Sequence, residues 1–149
     1  MQISTKARYA LRIMIDLAAH SAGGKVKIRE ISERQNISVK YLEQVINALS
    51  KAGLVTGERG PQGGYVITVD PSSITAGDII RLVDGPTSPA PCHTPDGGAC
   101  PMSGRCASEE MWSRIEEATD SILDSYRISD LAERSLVLLP SSEKPEYCI

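Results

Sequence analysis

The sequence lacks an apolar run long enough to cross a lipid bilayer. A spanning helix needs roughly 20 consecutive apolar residues, and no segment of this 149-residue chain approaches that length. The first residues, Met1 to Lys6, contain neither the apolar stretch nor the small-residue cleavage site of a secretory signal peptide. We therefore expect a cytoplasmic protein with no membrane partner, in a compartment that keeps thiols reduced.

Two nucleotide-binding motifs are also absent. The glycine-rich stretch from Gly57 to Gly64 contains no Gly-Lys-Ser or Gly-Lys-Thr, and no G-x-G-x-x-G opens a helix.

A thiol enzyme would need an activated cysteine beside a histidine. The chain has only two histidines, and of these only His93 lies near a cysteine in the sequence. We therefore predict that the protein is not an enzyme.

The charge is distributed unevenly along the chain. Residues 1–70 carry ten Lys/Arg and six Asp/Glu, a net charge of +4, whereas residues 71–149 carry six and thirteen, a net charge of −7. A basic front half suits a polyanion such as DNA, although ordinary scatter of charges would give the same numbers. Apolar residues make up 41% of the chain and charged residues 23%, which is typical of one globular domain.

Apolar spacing predicts three helices in the front half, at Thr5 to His20, Ile28 to Gln35 and Val39 to Ala52. The tight turn Asn36-Ile37-Ser38 joins the second and third of these, which is the local signature of a helix-turn-helix. Gly53 stands where a helix C-cap glycine belongs.

Two β-branched segments follow, Leu54 to Thr56 and Tyr65 to Val69, and the glycine-rich stretch between them predicts a hairpin. A helix-turn-helix followed at once by a hairpin is the order of a winged helix. The fold class is therefore predicted as mainly α with a small β-hairpin wing.

The back half is predicted to hold a short helix from Thr75 to Asp84, a long one from Ser108 to Arg127, and a last one from Asp130 to Ser135. The long helix has an apolar stripe that packs either on the chain's own core or, as we favour, on a second copy of the chain. Its central members are Met111, Ile115, Ala118 and Ile122. This gives a DNA-binding domain at 1–84, a cysteine-rich loop at 85–107, a dimerisation segment at 108–137 and a mobile tail at 138–149.

The predicted loop contains Cys92, Cys100 and Cys106 in a C-x7-C-x5-C pattern. Such thiolates can hold a soft metal ion or an iron–sulfur cluster. Three unrelated thiols are the plain alternative. Zinc is another, although zinc sites usually contain a C-x2–4-C pair. Glu109, three residues after Cys106, and His93 are candidates for a fourth ligand, with Glu109 preferred on position alone.

The sequence resembles the IscR/NsrR/CymR family of winged-helix transcription regulators, and within it the IscR-type iron–sulfur cluster regulators. The matching segments are Ser4 to Ala10, Ile31 to Ser38, Tyr41 to Gln44, Arg59 to Tyr65, Ile79 to Gly85 and the three loop cysteines. The resemblance implies a homodimer that binds pseudo-palindromic promoter DNA and holds a 2Fe–2S cluster with the loop cysteines. The CymR branch lacks the cysteine set and is expected to fit less well.

The chain departs from the family at the fourth ligand. IscR proper is expected to have a histidine where this chain has Glu109. The NsrR branch is expected to use a carboxylate near the position of Arg8, so an arginine there closes that route. The predicted function is a repressor that senses cluster, redox or nitric oxide status. A zinc- or thiol-dependent regulator of the same fold is the alternative.

In a winged helix, the second helix of the motif enters the major groove and the wing reaches the minor groove or the backbone. Gln44 and Asn47 can pair with adenine, and Glu43 can accept a hydrogen bond from cytosine N4. Lys40 suits a phosphate, and Arg59 suits a narrow minor groove. The predicted DNA-binding residues are Ser38, Lys40, Tyr41, Glu43, Gln44, Asn47 and Arg59.

Overall fold

The computed structural model describes residues 2–21, 24–90 and 100–138. Within these residues the chain forms six α-helices, one antiparallel hairpin and one 3-10 turn. In chain order they are α1 (Thr5–His20), α2 (Ile28–Gln35), α3 (Val39–Lys51), β1 (Val55–Glu58), β2 (Gly64–Ile67), the 3-10 turn Pro71–Ser73, α4 (Ala76–Asp84), α5 (Glu109–Ser125) and α6 (Ile128–Leu138). The predicted fold class, a mainly helical winged helix-turn-helix, is confirmed.

The predicted boundaries are accurate in the front half and less so at the end. The first two helices have the predicted bounds, whereas α6 begins at Ile128 rather than at Asp130 and extends to Leu138 rather than to Ser135. The backbone N–H of Ile128 donates to the carbonyl of Ile74 at 3.0 Å, a contact between distant segments that starts α6 early. Leu138, assigned to the tail by the sequence, ends α6, and residues 139–149 lie outside the described part.

Short-range caps set the ends of the helix-turn-helix. The Ser38 hydroxyl accepts a hydrogen bond from the backbone N–H of Tyr41 at 3.4 Å at the start of α3. Asn36 adopts the left-handed conformation, with φ of 50°, between α2 and α3. The Ser32 hydroxyl donates to the carbonyl of Ile37 at 2.7 Å, which closes the turn. After α3, Gly53 takes a φ of 75°, as expected for a glycine just beyond a helix.

Helix α1 lies at the centre of the fold, where it packs against α2, α3, α4, α6 and β2. Its buried residues share a core with the inner face of α3. The core consists of Ala10, Ile13, Met14, Leu17, Val26, Ile31, Ile37, Leu42, Val45, Ile46, Leu49, Val55, Ile74, Ile79 and Ile128. Helix α3 is therefore held from behind by α1, and its other face is left to solvent.

A buried carboxylate joins α1 to the end of α2. Asp16 is only 1% exposed. Arg34 donates to its two oxygens from Nε at 2.9 Å and Nη2 at 2.7 Å, and Gln35 Nε2 donates at 2.9 Å. From α1, Arg12 Nε donates in turn to Gln35 Oε1 at 3.0 Å. Since a buried charge is tolerated only when paired and hydrogen-bonded, this network fixes where α2 ends and α3 begins.

Polar contacts also attach α5 to α4. Arg81 donates to Asp120 at 3.1 Å and also bonds Asp124, and the buried Thr87 hydroxyl donates to the same Asp120. No residue of α5 is buried in the isolated chain, and its apolar stripe is exposed, with Met111 at 47%, Ile115 at 37% and Ile122 at 61%. None of the helices within the described residues is long and apolar enough to cross a membrane.

We predict that Asp16→Ala lowers the free energy of unfolding by roughly 2–4 kcal/mol, because it leaves Arg34 and Gln35 without their buried acceptor. Urea denaturation followed by circular dichroism measures the change. Glu117→Ala, at an exposed position of α5, is the control and should change stability by less than about 0.5 kcal/mol. Equal stabilities of the two variants would show that the Asp16 network does not hold α1 to α2.

Candidate nucleic-acid interface and cysteine loop

The solvent face of α3 presents the polar residues that the sequence predicted to contact bases. Glu43, Gln44 and Asn47 are all exposed, as are Ser38 and Lys40 near the start of the helix, whereas Leu42, Val45 and Ile46 are buried on the opposite face. Helical spacing thus places the amide and carboxylate groups together on one open surface. This surface can donate and accept hydrogen bonds along the edges of base pairs.

Tyr41 differs in its exposure from the other residues of α3 that are predicted to bind DNA. It is half-buried, and its ring meets that of Tyr9 edge to face, with centroids 5.5 Å apart. The Arg12 guanidinium lies 5.3 Å from the centroid of the Tyr9 ring. Much of the Tyr41 ring therefore packs on α1, and its predicted contact with DNA stays a prediction.

The wing is a short hairpin in which β1 and β2 pair in antiparallel register from Val55–Ile67 to Glu58–Gly64. A Cβ on Gly63 would lie 2.2 Å from the carbonyl oxygen of Glu58, so the close approach at this turn requires glycine. Arg59 follows β1 directly and is exposed at the tip. Lys25 forms an ion pair with Glu58. The positive charge that projects from the wing is therefore that of Arg59.

The wing is also fixed to the body of the fold. Val26 and Tyr65 exchange two backbone hydrogen bonds, of 2.9 and 2.8 Å. These bonds add the segment before α2 to the edge of the hairpin. The tip of the wing therefore keeps a set position relative to the helix-turn-helix, as contacts with two neighbouring grooves would require.

Two of the three predicted cluster cysteines lie in the described part of the loop. Cys100 and Cys106 are both partly exposed free thiols, whereas Cys92 and His93 fall outside the described residues. The Ser108 hydroxyl lies 3.2 Å from Cys106 Sγ, and this contact lowers the pKa of the Cys106 thiol below its ordinary value. A lowered pKa favours the thiolate, which is the form that binds metals.

Two consecutive turns connect these cysteines. The N–H of Ser103 donates to the carbonyl of Cys100 and that of Arg105 to the carbonyl of Met102, both at 2.9 Å. Glu109, in the first turn of α5, bonds to this segment through both carboxylate oxygens. The Ser103 hydroxyl donates to Oε1 at 3.0 Å, and the Gly104 N–H donates to Oε2 at 2.8 Å.

The donor groups of the loop fit a thiolate-bound metal centre only in part. Cys100 and Cys106 supply two ligands of the soft type that iron–sulfur clusters require. Among residues 2–21, 24–90 and 100–138, however, no three His, Cys, Asp or Glu side chains gather closely enough to hold a metal ion. The Glu109 carboxylate is therefore not grouped with the two thiols in this structure.

Two functional contacts were missed by the sequence reasoning. Asp16 was placed only on a helix, because a single acidic residue in a periodic pattern resembles a solvent-facing one. The sequence predicts Glu109 as a candidate ligand. Its hydrogen bonds to Ser103 and Gly104 depend on a turn between the cysteines that no local pattern announces.

Comparison with known proteins identifies a family over most of the chain. The sequence profile of the Rrf2 family, described as an iron-dependent transcriptional regulator, matches residues 3–134. The transcriptional regulator CymR of Bacillus subtilis is 43% identical over 132 residues, which cover 89% of this chain and 90% of CymR. IscR of Yersinia pestis is 38% identical over 138 residues, which cover 93% of this chain and 83% of IscR.

Solved structures give the same result for the fold. The structure of B. subtilis CymR, described as the global cysteine regulator of that organism, has a TM-score of 0.76 and 42% identity, covering 90% of this chain and 98% of CymR. T. potens IscR has a TM-score of 0.73 and 32% identity, covering 96% of this chain and 94% of IscR. The resemblance seen in the sequence is confirmed. Identity to B. subtilis CymR exceeds that to Y. pestis IscR, so the expectation that the CymR branch fits less well is not supported by overall identity.

We predict that Arg59→Ala weakens operator binding by roughly 1–3 kcal/mol, about 5- to 150-fold in Kd, because Arg59 is predicted to contact a groove from the wing tip. Arg134→Ala removes the same charge from exposed α6 and should leave Kd unchanged. Fluorescence anisotropy with a labelled operator, over a range of salt concentrations, measures both. Equal affinity of the Arg59 variant and the wild-type protein at every salt concentration would contradict this role.

Proposed function

Since the chain belongs to the Rrf2 family of transcription regulators, we propose that it is a homodimeric, DNA-binding repressor that senses the status of a 2Fe–2S cluster. The proposal is supported by two features found together. Helix α3 has an exposed polar face, and a loop of cysteines leads directly into α5. The proposal places the protein in the cytoplasm, where its thiols stay reduced.

In this proposal α3 reads the major groove of promoter DNA and the wing contacts the minor groove. Glu43, Gln44 and Asn47 face base edges, whereas Ser38 and Lys40 hold the phosphate backbone. Tyr41 supports the helix from its half-buried position. The Asp16 network sets the angle at which α3 leaves α2, so these side chains reach the groove together.

Cys92, Cys100 and Cys106 would hold the cluster through their thiolates. When bound, a 2Fe–2S cluster supplies a centre whose presence depends on cluster supply, oxidants and nitric oxide. The chain's own contribution is to connect the loop to the rest of the fold. Thr87 fixes the start of the loop region to Asp120 of α5, and Arg81 joins that same Asp120 to α4.

This connection gives a physical route from the loop to the DNA-binding face. Helix α4 packs on α1, and α1 holds α2 through Asp16. A change in the loop that shifts α5 therefore also acts on α4 and, in the dimer, on the spacing of the two recognition helices. The spacing decides whether both helices fit successive major grooves.

A thiol-dependent regulator without a cluster is a second candidate. One observation favours it: the relative described as a global cysteine regulator is 42% identical over 90% of this chain. The partly exposed Cys106, with its lowered pKa, also has the properties of a reactive thiol. The two candidates differ in whether the purified protein contains iron.

We expect the anaerobically purified protein to be brown and to contain equal amounts of iron and acid-labile sulfide. Serine variants of Cys92, Cys100 and Cys106 should each lose the visible absorption, because each removes one thiolate from the cluster. Cys148→Ser is the matched control and should keep the spectrum. Colourless wild-type protein with stoichiometric zinc, or with no metal at all, would contradict the cluster and favour the alternative.

A separate prediction concerns the proposed dimer. In α5, Asp120 and Asp124 contact α4, and helical spacing directs the exposed Met111–Ile115–Ile122 stripe away from that contact. Ile115→Glu would bury an unpaired carboxylate in the interface and should yield monomers. Ser121→Glu adds the same charge at an exposed position outside the stripe and should stay dimeric. Analytical ultracentrifugation distinguishes them, and a monomeric wild-type protein at micromolar concentration would contradict the dimer.

A further inference from the structure

Glu109 stands three residues after Cys106, where a cluster ligand was predicted, and the structure gives its carboxylate other partners. Oε1 accepts from the Ser103 hydroxyl at 3.0 Å and Oε2 accepts from the Gly104 N–H at 2.8 Å. The backbone N–H of Glu109 donates to the carbonyl of Cys106 at 3.1 Å. One residue at the start of α5 is thus bonded to the segment between the two cysteines at three points.

These bonds have a specific consequence for the thiols. Ser103 and Gly104 lie between Cys100 and Cys106, in two turns that bring the chain back towards α5. Gly104 adopts a φ of 75°, a left-handed conformation that glycine takes without strain and that lets the chain turn back here. By anchoring this turn, the Glu109 carboxylate restricts where each cysteine can lie relative to the other.

We propose that Glu109 is a positioning residue that clamps the Cys100–Cys106 turn for cluster binding, and is not itself a cluster ligand. The inference rests on the proposed function, because it assumes a thiolate-bound cluster. In this structure Oε1 of Glu109 faces the Ser103 hydroxyl and Oε2 faces the Gly104 N–H, so both oxygens contact the turn.

Replacing the Glu109 carboxylate with an amide distinguishes its two possible roles, clamp and cluster ligand. A glutamine at position 109 can accept from the Gly104 N–H through its oxygen and donate to the Ser103 hydroxyl through its amide, so it can retain both contacts. It lacks the negative charge that makes a carboxylate a metal ligand. Ser103→Ala removes one clamp contact and leaves the carboxylate intact. Glu110→Ala removes a neighbouring, exposed charge from the same helical turn and is the matched control.

The first measurement uses the full-length, cluster-free protein. We expect amide hydrogen exchange in residues 100–106 to be faster by about fivefold in Glu109→Ala, since a carboxylate acceptor of the Gly104 N–H is lost. Glu109→Gln and Glu110→Ala should exchange like the wild-type protein. Wild-type exchange in Glu109→Ala would overturn the clamp, whether or not the protein binds a cluster.

The second measurement follows the visible absorption of the anaerobically loaded protein after exposure to air. The clamp predicts a shorter cluster lifetime in Glu109→Ala and in Ser103→Ala, and a lifetime near that of the wild-type protein in Glu109→Gln and Glu110→Ala. Equal losses in Glu109→Gln and Glu109→Ala, with a wild-type lifetime in Ser103→Ala, would instead identify Glu109 as a ligand and overturn the proposal. A wild-type protein without iron would contradict the proposed function, and hydrogen exchange would then decide the clamp alone.

Discussion

The position of the recognition helix depends on one buried carboxylate. Asp16 lies about one turn before the end of the central helix, and the side chains that donate to it, Arg34 and Gln35, belong to the last turn of α2. Because a charge buried to this extent cannot be left unpaired without a large free-energy cost, the end of α2 has little freedom relative to α1. The turn at Asn36 and the start of α3 follow directly, so the direction of the DNA-binding face is set by a polar contact inside the fold.

A second polar cluster has a comparable role at the other end of the molecule. Arg81 of α4 reaches Asp120 and Asp124 of α5, and Thr87 adds a hydrogen bond to the first of these carboxylates. The Arg81, Asp120 and Asp124 side chains are partly exposed, so each ion pair contributes less than the buried network. Partly exposed polar contacts of this kind can hold α5 against α4 and still allow α5 to shift. That combination suits a segment that connects a cysteine loop to the proposed dimer interface.

The sequence predicted the two parts of the candidate site, the exposed face of α3 and the cysteine loop, to different extents. The exposed face of α3 follows from helical periodicity, which separates Glu43, Gln44 and Asn47 from the buried Leu42 and Ile46 without knowledge of the fold. The role of Glu109 could not be predicted in this way. Its partners lie five and six residues away in a segment without regular structure, and only the turn at Gly104 brings them within hydrogen-bonding distance.

The order of the elements and their inward faces follow from the sequence, because caps such as Ser38 and Gly53 and the spacing of apolar residues act over a few residues. The sequence also determined the family, through segments that surround those elements. The tertiary structure alone decided that Asp16 is buried, that α6 begins at Ile128, and that the Glu109 carboxylate bonds to the cysteine turn. In each case the reason is the same: the partner that satisfies a polar group lies in another element or in an irregular turn, and local periodicity carries no information about it.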